Sequence, residues 1–64
     1  SIEVFAKKKI DLIEDDNNLI SLYNDTIQGE IIYRLTFDNK NQLNSFKKKI
    51  EGIENINKIN INLV

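Results

Sequence analysis

The sequence predicts one small α+β domain, a two-layer sandwich in which two helices cover one face of an antiparallel sheet. Apolar residues recur at helical intervals after Asn39, and they alternate along Glu30–Phe37 and Lys58–Val64 as in strands. The chain has 64 residues, and a domain of this size buries only ~60% of its unfolded surface. We therefore expect residues 1–64 to form a single domain with a small core.

The N-terminal segment, residues 2–14, is predicted to be a helix that ends at the polar residues 15–18. Its apolar residues gather on one side of a helical wheel. They are Ile2, Phe5, Ala6, Ile10 and Ile13. Two alternatives stay open. Residues 2–6 also alternate as a strand does, and a second possible helix begins at Asp11.

A β-hairpin is predicted next. Leu19–Asn24 has the pattern of a short strand with Ile20 and Leu22 facing inward. Gly29 then supplies the positive φ that a tight turn requires. The following strand, Glu30–Phe37, has one continuously apolar face. That face consists of Ile31, Tyr33, Leu35 and Phe37.

The second helix has start and stop signals. Asn39 is a capping residue, and Gln42 follows it at the spacing of a capping box. Lys47–Lys49 place positive charge at the negative end of the helix dipole. Gly52 is expected to end the helix, because glycine tolerates the left-handed conformation of a helix C-terminus. Its apolar face contains Leu43, Phe46, Ile50 and Ile53. We expect Leu43, Phe46 and Ile50 to pack against the apolar face of the strand Glu30–Phe37.

The last strand, Lys58–Val64, turns Ile59, Ile61 and Leu63 inward. The predicted order is therefore α-β-β-α-β, a ferredoxin-like sandwich whose first strand is missing or short. An empty central position leaves unpaired strand edges, which recruit a second copy or another protein. Asn60 and Asn62 give such an edge little protection.

The composition excludes several kinds of site. The chain has no cysteine and no histidine, which removes thiol nucleophiles, the commonest general base and most zinc sites. We expect no catalytic residues, no cofactor and no metal. Nine basic and ten acidic residues disfavour a dedicated nucleic-acid module.

No signal peptide or membrane span is evident, so we expect a cytoplasmic protein. Because the chain begins at Ser1 rather than Met, we expect a piece excised from a longer protein.

Gly29–Val64 resembles the C-terminal half of an ACT-type regulatory domain, above all the copies at the C-terminus of bacterial alarmone synthetase/hydrolases. The matching features are the strand Gly29–Leu35, the helix opening Asn41-Gln42-Leu43, and Ile50, Ile53 and Ile56 before the last strand. Residues 2–7 also look like the first strand of such a domain. The same half is similar to the ligand-sensing domain of Lrp/AsnC-type regulators, which share the topology.

The resemblance implies a regulatory domain that dimerises or docks on a partner. ACT domains bind amino acids at an Asp-x-x-Gly-Leu-Leu-like turn after the first strand. The equivalent segment here, Lys8–Ile13, lacks the acid and the glycine at the matching positions. We therefore do not expect a small-molecule ligand.

The chain contains an acidic cluster and two lysine triplets. Asp11, Glu14, Asp15 and Asp16 are dense enough to suggest calcium or magnesium, but they lack the glycine and the terminal glutamate of a calcium loop. We interpret them as a solvated helix end. The triplets Lys7–Lys9 and Lys47–Lys49, one on each predicted helix, are interpreted as solubilising surface rather than as phosphate contacts.

The sheet face away from the helices is the predicted partner surface. An aromatic residue beside basic ones is typical of RNA-binding sheets, but only Tyr23 has the right phase, so we favour a protein contact. The candidate residues are Leu19, Tyr23, Ile32, Arg34, Lys58, Asn60 and Asn62.

The leading hypothesis is a non-catalytic regulatory or oligomerisation domain that binds a protein partner or a second copy. The alternative is an accessory nucleic-acid-binding domain that uses the lysine triplets. A subunit or inhibitor that works only inside a larger complex is a third possibility.

Overall fold

The computed structural model describes residues 1–62 and shows an α+β domain with a four-stranded antiparallel sheet and two helices. The sheet order is β2-β3-β1-β4, and the helices pack on one face as the second layer. The elements are β1 (Ile2–Ala6), α1 (Asp11–Glu14), β2 (Leu19–Asp25), β3 (Glu30–Leu35), α2 (Lys40–Ile50) and β4 (Ile56–Ile61).

The prediction of a helix over residues 2–14 is wrong, and the strand alternative for residues 2–6 is correct. β1 occupies the centre of the sheet and pairs with β3 on one side and β4 on the other. Ile2, Val4 and Ala6 are fully buried by this alternation. A helix would leave the facing edges of β3 and β4 without backbone partners, whereas the strand satisfies both. The expected empty position in the sheet therefore does not exist.

The short helix α1 begins at Asp11, where the second alternative placed a helix start. Ile10, and not a polar residue, is its N-cap, and no side chain caps it. Ile10 and Ile13 are buried in the core formed with β1. The helical spacing of the N-terminal apolar residues thus arises from a strand and a short helix, of which Ile2, Ala6, Ile10 and Ile13 are buried in one core.

The hairpin lies where it was predicted, with β2 and β3 bounded within two residues of their expected ends. Gly29 adopts a φ of 68°, as predicted. The inward placement is wrong for Ile20, which is 57% exposed. Leu22 stands opposite the buried Tyr33 and so faces the helix side as predicted, although it is 42% exposed. Ile20 is the extra residue of a bulge opposite β3, and β2 is an outer strand that the single turn of α1 does not cover.

The second helix has the predicted cap, and its apolar face contains Leu43, Phe46 and Ile50, whereas Ile53 follows the end of the helix. The Asn39 side chain accepts a hydrogen bond from the backbone N–H of Gln42, and Lys47–Lys49 lie in the last turn. The stop is different from the prediction. The helix ends at Ile50 with Glu51 as its C-cap, and Gly52 does not adopt a positive φ.

The core lies between the helices and one face of the sheet. Phe46 and Ile50 belong to one buried core with Tyr33 and Leu35, and the rings of Phe46 and Phe37 lie 5.2 Å apart between centroids. Leu43 is buried as well. The predicted packing of α2 is therefore confirmed for Phe46 and Ile50, although the core that they join also includes β1. In β4 the inward-facing Ile59 is half-buried, whereas Leu63 and Val64, the end of the predicted strand, lie outside the described residues.

Candidate interaction surface

One face of the sheet carries no helix. Because side chains alternate along a strand, the burial of Ile2, Val4 and Ala6 in β1 turns Glu3 and Phe5 to the opposite side. The neighbouring strands contribute their own outward residues at the same levels. We call this surface the open face, and its residues are Glu3, Phe5, Ser21, Tyr23, Ile32, Arg34, Lys58 and Asn60.

A row of apolar side chains crosses the open face. The register pairs Tyr23 with Ile32, Ile32 with Phe5, and Phe5 with Lys58, so one residue of each strand stands in a single line. Tyr23 is 62% exposed, and Phe5 and Ile32 are half-buried. The Lys58 ammonium lies 5.1 Å from the centre of the Phe5 ring, at cation–π distance. This apolar row has a hydrophobic centre and a positive end.

A polar row runs beside it, two residues along each strand. Arg34 stands opposite Glu3, and its guanidinium lies 3.0 Å from a Glu3 carboxylate oxygen. Ser21 and Asn60 occupy the two outer strands at the same level. The polar row therefore has its charges on the two central strands and neutral groups at both ends.

The hairpin end of the open face is held by side-chain hydrogen bonds. The Asn57 amide donates to a Glu30 carboxylate oxygen at 2.9 Å. Asp25 accepts from the backbone N–H groups of Ile27 and Gln28, each at 3.1 Å, and so fixes the turn. These bonds bound the apolar row on the side away from the Glu3–Arg34 pair.

The structure brings most of the predicted surface residues together. Tyr23, Ile32, Arg34, Lys58 and Asn60 all belong to the open face. Asn62 follows β4, and its backbone exchanges hydrogen bonds with Ser1.

The assignment of Leu19 to the partner surface is wrong. Leu19 stands opposite the buried Leu35 and packs against the core, because the bulge at Ile20 shifts its phase. Phe5 and Glu3 were missed, since the helical interpretation removed them from the sheet. The alternation of residues 2–6 was the signal that would have found them.

The lysine triplets do not lie on two parallel helices. Lys7–Lys9 follow β1 in a loop, and the Lys7 backbone N–H bonds to the Asn55 carbonyl oxygen. The Lys9 ammonium lies 3.7 Å from Glu14 and 3.8 Å from Asp11. Acidic groups therefore accompany the first triplet.

The acidic cluster is divided among separate contacts. Asp16 accepts hydrogen bonds from the backbone and side chain of Asn18, while Glu14 accepts one from the Tyr33 hydroxyl. Lys49 lines a groove with Asp15 and Asp16. Over residues 1–62 no group of three or more histidine, cysteine or acidic side chains is arranged to hold a metal ion.

The pKa of Tyr33 is raised by its surroundings. Its side chain is fully buried, and burial raises its pKa to about 12. The backbone N–H of Ile10 opposes this shift, and the nearby Glu14 carboxylate adds to it. A hydroxyl with so high a pKa stays protonated at neutral pH and serves as a structural donor.

Comparison with protein-family models, curated proteins and solved structures found no match for this chain. Among the described residues, no helix is long and apolar enough to cross a membrane.

Proposed function

We propose that this chain is a non-catalytic regulatory or oligomerisation domain of ACT-like type, built as a ferredoxin-like sandwich, which acts by binding protein through its open face. The β-α-β-β-α-β order and the sheet order β2-β3-β1-β4 are those expected of that fold. The resemblance of Gly29–Val64 to ACT domains supplies the regulatory part of the proposal. The absence of cysteine and histidine favours binding over catalysis.

The observation that carries the proposal is the apolar row. Tyr23, Ile32 and Phe5 lie side by side on three adjacent strands, and no element of the described chain covers them. An exposed apolar centre with a polar border is the usual composition of a protein-binding patch. The Glu3–Arg34 pair and the Glu30–Asn57 bond form that border on its two sides.

Site-specific photocrosslinking in the native cell tests this function. A benzophenone amino acid replaces Tyr23 in the apolar row, and the control carries it at Asn44, an exposed residue of α2. We expect protein adducts from position 23 and far fewer from position 44. Equal yields from both positions would overturn the proposal, as would adducts with nucleic acid in place of protein.

The second candidate, an accessory nucleic-acid-binding domain, has one observation in its favour. β1 and α2 end at the same end of the sheet, where β4 starts, so both lysine triplets lie at that end. The ion pairs of Lys9 and the acidic neighbours of Lys49 reduce the positive field there. Binding of single-stranded RNA or DNA that weakens steeply with salt would favour this candidate, because phosphate contacts release counterions.

A further inference from the structure

We propose that the occupant of the open face is a second copy of this chain, packed sheet to sheet around a two-fold axis parallel to the strands and between β1 and β3. This inference rests on the proposed function, since it names the partner of the same surface. It is carried by the charge pattern of the open face, which is complementary to itself under that rotation. Two-fold contacts of this kind use the same patch on both copies.

The polar row shows the complementarity most directly. The rotation exchanges β1 with β3 and β2 with β4, and it keeps each row at its own level. Glu3 then faces Arg34 of the second copy, and Arg34 faces Glu3 of the second copy. Each copy already holds these two side chains 3.0 Å apart. The four groups therefore form a ring in which positive and negative charges alternate, and every charge has two opposite neighbours.

The apolar row matches itself under the same rotation. Ile32 faces Phe5 of the second copy, and Phe5 faces its Ile32, so the half-buried centre of each face covers the other. Tyr23, at one end of the apolar row, faces Lys58 of the second copy, which is the opposite end of that copy's apolar row. A lysine that already lies over the Phe5 ring thus gains a second aromatic neighbour.

Other orientations fit less well. A two-fold axis along the apolar row would set Lys58 against Lys58 of the second copy, a like-charge contact. The axis parallel to the strands also keeps the strands of the two sheets aligned, which is a common geometry of packed sheets at ~10 Å separation.

The size of the open face sets the strength of the contact. Four strands at ~4.8 Å spacing and five residues at ~3.4 Å rise give a face of roughly 15 Å by 17 Å. Two such faces bury less than the ~1,200 Å² at the low end of standard specific interfaces. We therefore expect a weak, reversible dimer that forms as the protein concentration rises.

Charge reversal in the polar row tests the arrangement by sedimentation equilibrium from ~10 μM to ~1 mM protein, a range suited to weak dissociation constants. Glu3→Arg makes all four charges of the ring positive, and Arg34→Glu makes all four negative. Each variant alone is expected to stay monomeric at concentrations where the wild type dimerises. An equal mixture of the two places opposite charges in both contacts between the copies, although each copy keeps a like-charge pair, and it is expected to regain dimers. The double variant Glu3→Arg, Arg34→Glu is expected to dimerise as well.

The controls carry the same charge changes on the helix side. Glu51→Arg and Lys48→Glu alter exposed residues away from the open face, and we expect both to dimerise as the wild type does. A mixture of the two ring variants that stays monomeric would overturn the pairing. So would single ring variants that still associate like the wild type.

The two proposals fail separately. A wild type that stays monomeric up to ~1 mM removes the second copy as the partner. If position 23 then still gives adducts with a different protein, the proposed function stands and only its partner changes. If position 23 gives no protein adducts either, both proposals fall.

Discussion

The Tyr33 hydroxyl donates a hydrogen bond of 2.7 Å to a carboxylate oxygen of Glu14, and so connects the middle of β3 to the end of α1. The same hydroxyl accepts a bond of 2.9 Å from the backbone N–H of Ile10, the N-cap of that helix. A helix of four residues has little stability of its own. Tyr33 therefore holds α1 at both of its ends and fixes the loop that leads into it.

Removal of this hydroxyl is expected to destabilise the domain. Tyr33→Phe leaves the nearly buried N–H of Ile10 without its acceptor, which costs roughly 1–3 kcal/mol of unfolding free energy. Tyr23→Phe is the matched control, because it removes the same atom from a side chain that is 62% exposed. Urea unfolding of both variants measures the difference. Equal stabilities would show that the hydroxyl of Tyr33 does not support the fold.

The raised pKa of Tyr33 predicts a loss of stability at alkaline pH. Below its ordinary pKa of 10.0 the side chain is neutral in both states, and its contribution is complete. As the pH rises from there to about 12, the unfolded chain loses the proton while the folded chain retains it, so unfolding becomes more favourable. We expect the stability advantage of the wild type over Tyr33→Phe to shrink across this interval. A constant difference in melting temperature would contradict the prediction.

The sequence was sufficient for the elements that carry local signals. Asn39 and the spacing of Leu43, Phe46 and Ile50 located α2, because a cap and a helical period are properties of neighbouring residues. Gly29 located the hairpin turn for the same reason. The prediction of a helix over residues 2–14 was wrong because a strand and a short helix follow each other closely there. Their combined apolar positions have the spacing of a single helix.

The alternation of residues 2–6 pointed to part of the open face, but its two rows could not be predicted from local patterns. Its rows depend on the register of four strands, and two bulges, at Ile20 and at Asn57, shift that register. The bulge at Ile20 is the reason that Leu19 belongs to the core. The hydrogen-bond partners of the Tyr33 hydroxyl could not be predicted from the sequence either, because Ile10 and Glu14 are distant from Tyr33 in the chain.

Truncation in the core is expected to be far more costly than a change at an exposed position of the same helix. Phe46 is 4% exposed and contacts Phe37 across the helix–sheet interface. Phe46→Ala should cost about 3–5 kcal/mol, which is enough to unfold most of a domain with marginal stability. Lys48→Ala, an exposed change on the same helix, is the control and should leave the melting temperature almost unaltered. An unchanged melting temperature for Phe46→Ala would refute the packing of α2 on the sheet.

The two glycines give a test of backbone conformation alone. A Cβ atom added at Gly29 or at Gly52 meets no other atom within 4 Å, so neither substitution creates a clash. Gly29 has a φ of 68°, a conformation that costs an L-residue roughly 1–2 kcal/mol, whereas Gly52 does not have a positive φ. Gly29→Ala should therefore lower the unfolding free energy by about that amount, and Gly52→Ala should leave it equal or slightly higher. Gly29→Asn should lose less than Gly29→Ala, because asparagine tolerates the left-handed region better. Urea titrations of the three variants measure the ranking, and a larger loss at Gly52 than at Gly29 would mean that the helix stops in the left-handed manner that the sequence alone suggests.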